Sequence, residues 1–214
     1  MNEEVLKIIS KQIHLCNKCP ILRRVTPNSM PCWYKSKNPQ ILVVGLNPGL
    51  EWVKDEYNQK EEPQEEFYQR YLDTFLTSKF GSFLTKIFFS KEFVEQYIFF
   101  TNLIKCRKPR NISFTEKHFL NCKDYLIDQI KIVKPKVVVV FSKSVSKHYG
   151  VAEFLKPTLI LNHPSYYRYN YESIDYMYDS EKLEDFLYKN RAHPENMVPI
   201  YDIEVKPLPD GTFF

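Results

Sequence analysis

The chain has 214 residues, of which 43% are hydrophobic and 26% charged, a balance that suits one folded α/β domain and excludes a disordered chain. Its formal net charge of +4 is compatible with a nucleic-acid partner without requiring one, because a basic face matters more than a total. No stretch approaches the roughly 20 apolar residues that span a bilayer, and the acidic start Met1-Asn2-Glu3-Glu4 has no signal-peptide pattern. A cytoplasmic, nucleoid-associated protein without a membrane partner is therefore expected. There, five cysteines are read as free or metal-bound rather than disulfide-bonded.

Residues 5–15 place apolar side chains at 5, 8, 9, 13 and 15, the spacing of a short amphipathic helix. Cys16-Asn17-Lys18-Cys19 follows at once. Ile41-Leu42-Val43-Val44, closed by Gly45, is a continuously apolar run and predicts a buried strand. Residues 51–66 are acidic and read as a solvated segment lying off the path of any polyanion. Helices are predicted over 67–77 and 82–89, and a second strand over 97–101. Thr115 is the expected N-cap of a helix over 116–133, with His118 where a capping box prefers Glu, and Pro135 should end it. Further strands are predicted at 137–141 and 158–161, with a helix at 142–149 between them. Beyond Arg191, Pro194, Pro199, Pro207 and Pro209 mark an irregular tail. The expected organisation is one domain over 1–192 and a C-terminal extension over 193–214.

Alternating strands and helices predict an α/β fold of three layers, a central four-stranded parallel sheet with helices on both faces. Ligands of such sheets bind beyond the carboxyl ends of the strands. The chemistry-bearing residues fall there: residues 45–49 after the first strand, Asn102 after the second and His163 after the last. Asn102 offers both a donor and an acceptor.

Cys106 and Cys122 have fifteen residues between them, one following a strand and the other near the start of a helix. Together with Cys16 and Cys19 they suit tetrahedral zinc or an iron–sulfur cluster. A lone CxxC beside two buried structural cysteines would present the same residues. A zinc ribbon carries two close pairs, unlike the wide second pair here. Cys32 is the odd one and reads as a packing cysteine.

Four blocks together resemble the uracil-DNA glycosylase superfamily, and most closely its iron–sulfur branch, family four. They are Leu15-Cys16-Asn17-Lys18-Cys19-Pro20-Ile21-Leu22, Val44-Gly45-Leu46-Asn47-Pro48-Gly49, Thr101-Asn102-Leu103-Ile104-Lys105-Cys106-Arg107-Lys108-Pro109 with Cys122 beyond it, and Asn162-His163-Pro164-Ser165. The resemblance rests on their order, spacing and position after predicted strands. It implies a DNA repair enzyme that flips uracil out of the stack and hydrolyses its glycosidic bond. It also implies a structural 4Fe–4S cluster on Cys16, Cys19, Cys106 and Cys122, with zinc the lesser alternative. Asn47 and His163 would be catalytic, the first holding the attacking water and the second meeting uracil O2. Gly45, Leu46, Pro48, Gly49, Asn102 and Ser165 would line the base site, with Phe75 or Phe80 stacking on the base.

Lys105, Arg107, Lys108 and Arg110 form a basic cluster expected to face DNA backbone, and Tyr166, Tyr167 and Arg168 a loop expected to wedge and grip it. No lysine is placed to form a Schiff base, so the expected enzyme is monofunctional, and it is expected to act as a monomer. One departure bears on substrate. Family four usually reads Gly-Glu-Ala-Pro-Gly in the second block, whereas Gly-Leu-Asn-Pro-Gly resembles the mismatch-specific and single-strand-selective branches. Another deaminated base, hypoxanthine or xanthine, is the alternative substrate. A non-catalytic iron–sulfur nucleic-acid-binding protein is the alternative class.

Overall fold

Four apolar runs pair as the parallel strands that their unbroken hydrophobicity predicts. In the computed structural model, which describes residues 3–25, 32–33, 35–48, 64–88, 90–107, 113–141, 155 and 159–161, they are β2 (Ile41–Gly45), β3 (Ile98–Asn102), β4 (Val137–Phe141) and β5 (Leu159–Leu161). Every residue of β2, β3 and β4 is buried, as expected of strands covered on both faces. The four-stranded expectation gains a fifth member. β1 (Cys32–Trp33) pairs antiparallel with β3, giving a mixed sheet of order β1-β3-β2-β4-β5. Two residues carry no periodicity, so this edge strand leaves no sequence signal.

Among the described residues the helices are α1 (Glu3–Leu15), α2 (Pro20–Val25), α3 (Gln64–Thr74), α4 (Lys79–Ile87), α5 (Lys91–Tyr97) and α6 (Glu116–Val133), with a 3-10 turn Phe75–Thr77 after α3. The helices expected at 67–77 and 82–89 are thus found displaced by about one turn. Short α2 and α5 were not expected. Proline at the first position of α2 has the φ a helix needs, and α5 is capped by Ser90, whose Oγ accepts the Phe93 N–H at 3.0 Å. The cap of α6 is as read: His118 Nδ1 accepts the Thr115 N–H at 3.0 Å, standing in for the usual glutamate. That helix ends at Lys134 in the left-handed region, before Pro135. The segments 51–63, 142–149 and 193–214 lie outside the described residues. No described helix is long and apolar enough to cross a membrane.

Register decides what each face carries. Val43 pairs with Phe100 and Gly45 with Asn102, so alternation puts these four on one face and Leu42, Val44, Phe99 and Thr101 on the other. The first face is aromatic. Phe75 stacks between Trp33 at 5.1 Å and Phe100 at 5.2 Å, and Phe80 lies 4.6 Å from Phe100 and 5.9 Å from Phe141. The second face meets α6 through a hydrogen bond between Thr101 Oγ1 and Gln129 Oε1 at 2.9 Å, and α1 packs on α6. Helices therefore cover both faces.

Gly81 is what lets α4 sit on the 3-10 turn. A Cβ there would lie 2.0 Å from the Phe75 carbonyl oxygen and 2.6 Å from Leu76 Cα. Both are backbone atoms and cannot swing aside. Gly81→Ala is expected to destabilise the fold by about 3 kcal/mol, lowering the melting temperature by roughly 6–12 °C. A thermal melt beside the wild type checks this.

Candidate active site and cysteine centre

The ends of β2 and β3 stay tied after the strands finish. The Leu103 N–H donates to Gly45 O at 2.8 Å and the Ile104 N–H to Leu46 O at 2.9 Å. The turn after Gly45 and the turn after Asn102 are thereby held side by side at the carboxyl end of the sheet, where ligands of such folds bind. Gly45 is required by closeness rather than by backbone angle. A Cβ there would stand 2.6 Å from Asn102 Oδ1, so the Asn102 amide lies across the glycine. Asn102 is buried. Asn47 is half-buried in the adjoining turn, its amide donating to Pro48 O at 2.9 Å. Leu46 packs on the core beside it.

The structure separates the two candidate aromatics. Phe75 is fully buried between Trp33 and Phe100. Phe80 is half-buried and touches Phe100, whose ring borders the same open side of Gly45.

Lys105, expected with Arg107, Lys108 and Arg110 to face DNA, is instead only 1% exposed. Its ammonium donates to Thr101 Oγ1, Asn102 O and Gln129 Oε1, each at 2.7 Å. Burial pulls its pKa down to about 8, opposed by charge on Cys122 and Cys32, so it remains a cation at neutral pH. Arg107 is half-buried. Lys108, Arg110, Gly49, His163, Ser165, Tyr166, Tyr167 and Arg168 lie outside the described residues.

The four cysteines come from three segments: Cys16 and Cys19 between α1 and α2, Cys106 in the turn after β3, and Cys122 in α6. Cys16 is half-buried and the others are buried. Hydrogen-bond donors aim at their sulfurs. Asn121 Nδ2 reaches Cys19 Sγ at 3.3 Å and Lys18 O at 3.0 Å. The Tyr125 hydroxyl bonds Cys16, and burial first, then that bond, raise its pKa well above the usual tyrosine value. The Lys105 backbone N–H bonds Cys122. Burial pushes that thiol up, Lys105 opposes it, and the charges of Cys19 and Cys16 add to it. An all-thiol set with donors on the sulfurs fits a thiolate-ligated metal group. Among the described residues no three Cys, His, Asp or Glu form a group that holds a single metal ion. Cys32, the expected packing cysteine, is buried in β1 opposite Thr101.

Asn121, Tyr125, Thr101 and Gln129 were not singled out from sequence. Gln129 left a faint trace. It shares the buried face of α6 with Phe119, Cys122, Leu126 and Ile130, and a lone amide on an apolar stripe needs a buried partner.

The sequence model of the uracil DNA glycosylase superfamily matches residues 32–187. The chain belongs to the uracil DNA glycosylase superfamily. Its members with similar sequence include the type-4 uracil-DNA glycosylase of Thermotoga maritima, 21% identical over 206 residues that span 94% of this chain and 93% of that one. The type-4 uracil-DNA glycosylase of Archaeoglobus fulgidus is 29% identical over 136 residues, 64% of this chain and 59% of the relative. That of Saccharolobus solfataricus is 28% identical over 138 residues, 64% and 56%. The superfamily match spans β1 to β5 and so includes Asn47, Asn102 and three of the five cysteines.

Proposed function

We propose that this chain is a monofunctional uracil-DNA glycosylase acting as a monomer on intracellular DNA. The observation that carries the reading is the Asn102 amide laid across Gly45, beside the turn that bears Asn47. An amide at a strand end, with no side chain on the neighbouring strand to cover it, can read the edge of a flipped pyrimidine.

Flipping costs a few kcal/mol. Once the nucleotide is out of the stack, the bond from C1′ to uracil N1 breaks and its electron pair leaves with the base. Water adds to C1′ and gives up a proton to solvent. Asn47 holds that water; an amide is a poor base, so its contribution is orientation. His163, as a neutral donor, would meet the negative charge gathering on uracil O2. Phe80 would flank the base. A 4Fe–4S cluster on Cys16, Cys19, Cys106 and Cys122 would supply rigidity, clamping the turn after β3 to α1 and α6.

The test is base release from uracil-containing single- and double-stranded oligonucleotides. Wild type should release uracil, and Asn47→Ala should do so about 100-fold more slowly. The Gly-Leu-Asn-Pro-Gly turn favours a second reading, a different deaminated base. Oligonucleotides carrying hypoxanthine or xanthine separate the two. If no base of any kind is released, both fail, and salt-dependent DNA binding without turnover would mark a non-catalytic binding protein.

A further inference from the structure

Lys105 is a cation almost wholly removed from solvent. Its three N–H groups are all used, on a hydroxyl, a backbone carbonyl and a side-chain amide, each at 2.7 Å. All three acceptors are neutral. Burying an ammonium on neutral acceptors is costly, and an apolar side chain of the same volume would hold the turn more cheaply. Its surroundings are specific. Thr101 Oγ1 donates onward to Gln129 Oε1 at 2.9 Å, so the ammonium, the hydroxyl and the amide close a buried ring of hydrogen bonds between β3 and α6.

Two of the lysine's contacts point in different directions. Its ammonium grips the carbonyl oxygen of Asn102, the residue whose side chain crosses Gly45. Its backbone N–H bonds the sulfur of Cys122, and the next residue is Cys106. One side chain and one peptide thus join the cysteine centre to the strand end. The neighbouring Leu103 and Ile104 N–H groups bind Gly45 and Leu46, so this short turn has its backbone held from both sides.

We propose that Lys105 is a positioning residue for base recognition: its buried ammonium locks the Asn102 peptide, and with it the base-reading amide, to the Thr101–Gln129 pair and the cysteine-bearing turn. This rests on the glycosylase reading of Asn102. The lysine contacts no base and no DNA; it acts through Asn102.

The experiment uses full-length protein carrying its metal group. Lys105→Met keeps the length of the side chain and removes its three donors. Iron per chain, visible absorption and a thermal melt establish that the variant is folded and loaded. Single-turnover uracil release at increasing enzyme concentration then separates the maximal rate from the half-saturating concentration. The expected result is a maximal rate lowered by about 10- to 100-fold, with half-saturation within about threefold of wild type and iron unchanged. A maximal rate within about twofold of wild type at full iron would overturn the proposal. So would a loss of rate that only follows a loss of iron, since the lysine would then be a clamp for the centre alone.

If Lys105→Met does not fold, Thr101→Val decides. It keeps a β-branched residue in β3 but breaks the ring at one corner. Its maximal rate should fall several-fold at unchanged iron, and no fall overturns the proposal. If wild type itself releases no base, the glycosylase reading fails separately. Deuterium exchange then judges the lysine: faster exchange at Leu103 and Ile104 in Lys105→Met, with α6 unchanged, supports the lock, and unchanged exchange at both refutes it.

Discussion

Gly45→Ala is expected to lower uracil release by about 100-fold while leaving the chain folded and the cysteine centre intact. The added methyl would stand 2.6 Å from Asn102 Oδ1 but 3.5 Å from the Phe100 ring. The second distance is ordinary packing; the first forces one of the two atoms to move. The amide is the end of a short side chain, whereas Gly45 is held by pairing with β3 and by its carbonyl bond from Leu103. The amide therefore moves. Displacing a reading group by an ångström is the kind of change that costs two orders of magnitude in rate without unfolding a protein. A thermal melt should show a shift of only a few degrees, because overpacking relieved by one rotating side chain lies at the low end of about 1–3 kcal/mol. Wild-type release by Gly45→Ala would mean that Asn102 does not read the base.

Cys19→Ser and Cys122→Ser should each lose the metal group and melt about 10 °C or more below wild type. The proposed ligands come from three segments, and metal binding that joins distant segments is folding free energy. Cys19 and Cys122 are both buried and both receive a hydrogen bond at sulfur. A serine hydroxyl is a poor replacement for a soft ligand. Cys32→Ala is the control and should keep its full complement of iron. Metal analysis, visible absorption and melting read all three variants, and the same metal analysis on wild type distinguishes iron from zinc. DNA titrations against salt add the functional side: loss of the clamp should weaken binding. If chelation strips the metal and leaves both the melt and the DNA affinity unchanged, the structural role is wrong.

The reach of the sequence differs between elements for identifiable reasons. All four apolar runs are strands to within a residue at each end, because a strand buried on both faces needs no pattern beyond unbroken hydrophobicity. β1 escaped because two residues have no period. α5 escaped because seven residues hold barely two turns, and its Ser90 cap alone does not distinguish a helix from a turn. Gly45 and Asn102 end their strands, and Asn47 follows Gly45, where the sequence places them. Lys105 was misread because it stands in a basic run with Arg107, Lys108 and Arg110. Such a run says nothing about which member turns inward. Phe75 and Phe80 could not be told apart because both lie near the junction of the two predicted helices, and nothing local says which ring turns inward.

The amino-acid order by itself determined the parallel core, the strand ends that carry Asn47 and Asn102, and the four thiols available to a metal. These follow from local hydrophobicity and from a topological rule that needs no coordinates. Only the tertiary structure decided that Lys105 is an internal cation, that Phe75 is a core ring and that Asn102 covers Gly45. Each depends on residues far apart in the chain meeting across the sheet. Lys105 and Gln129 are 24 positions apart, and they meet because α6 lays its apolar face on the side of β3 that carries Thr101.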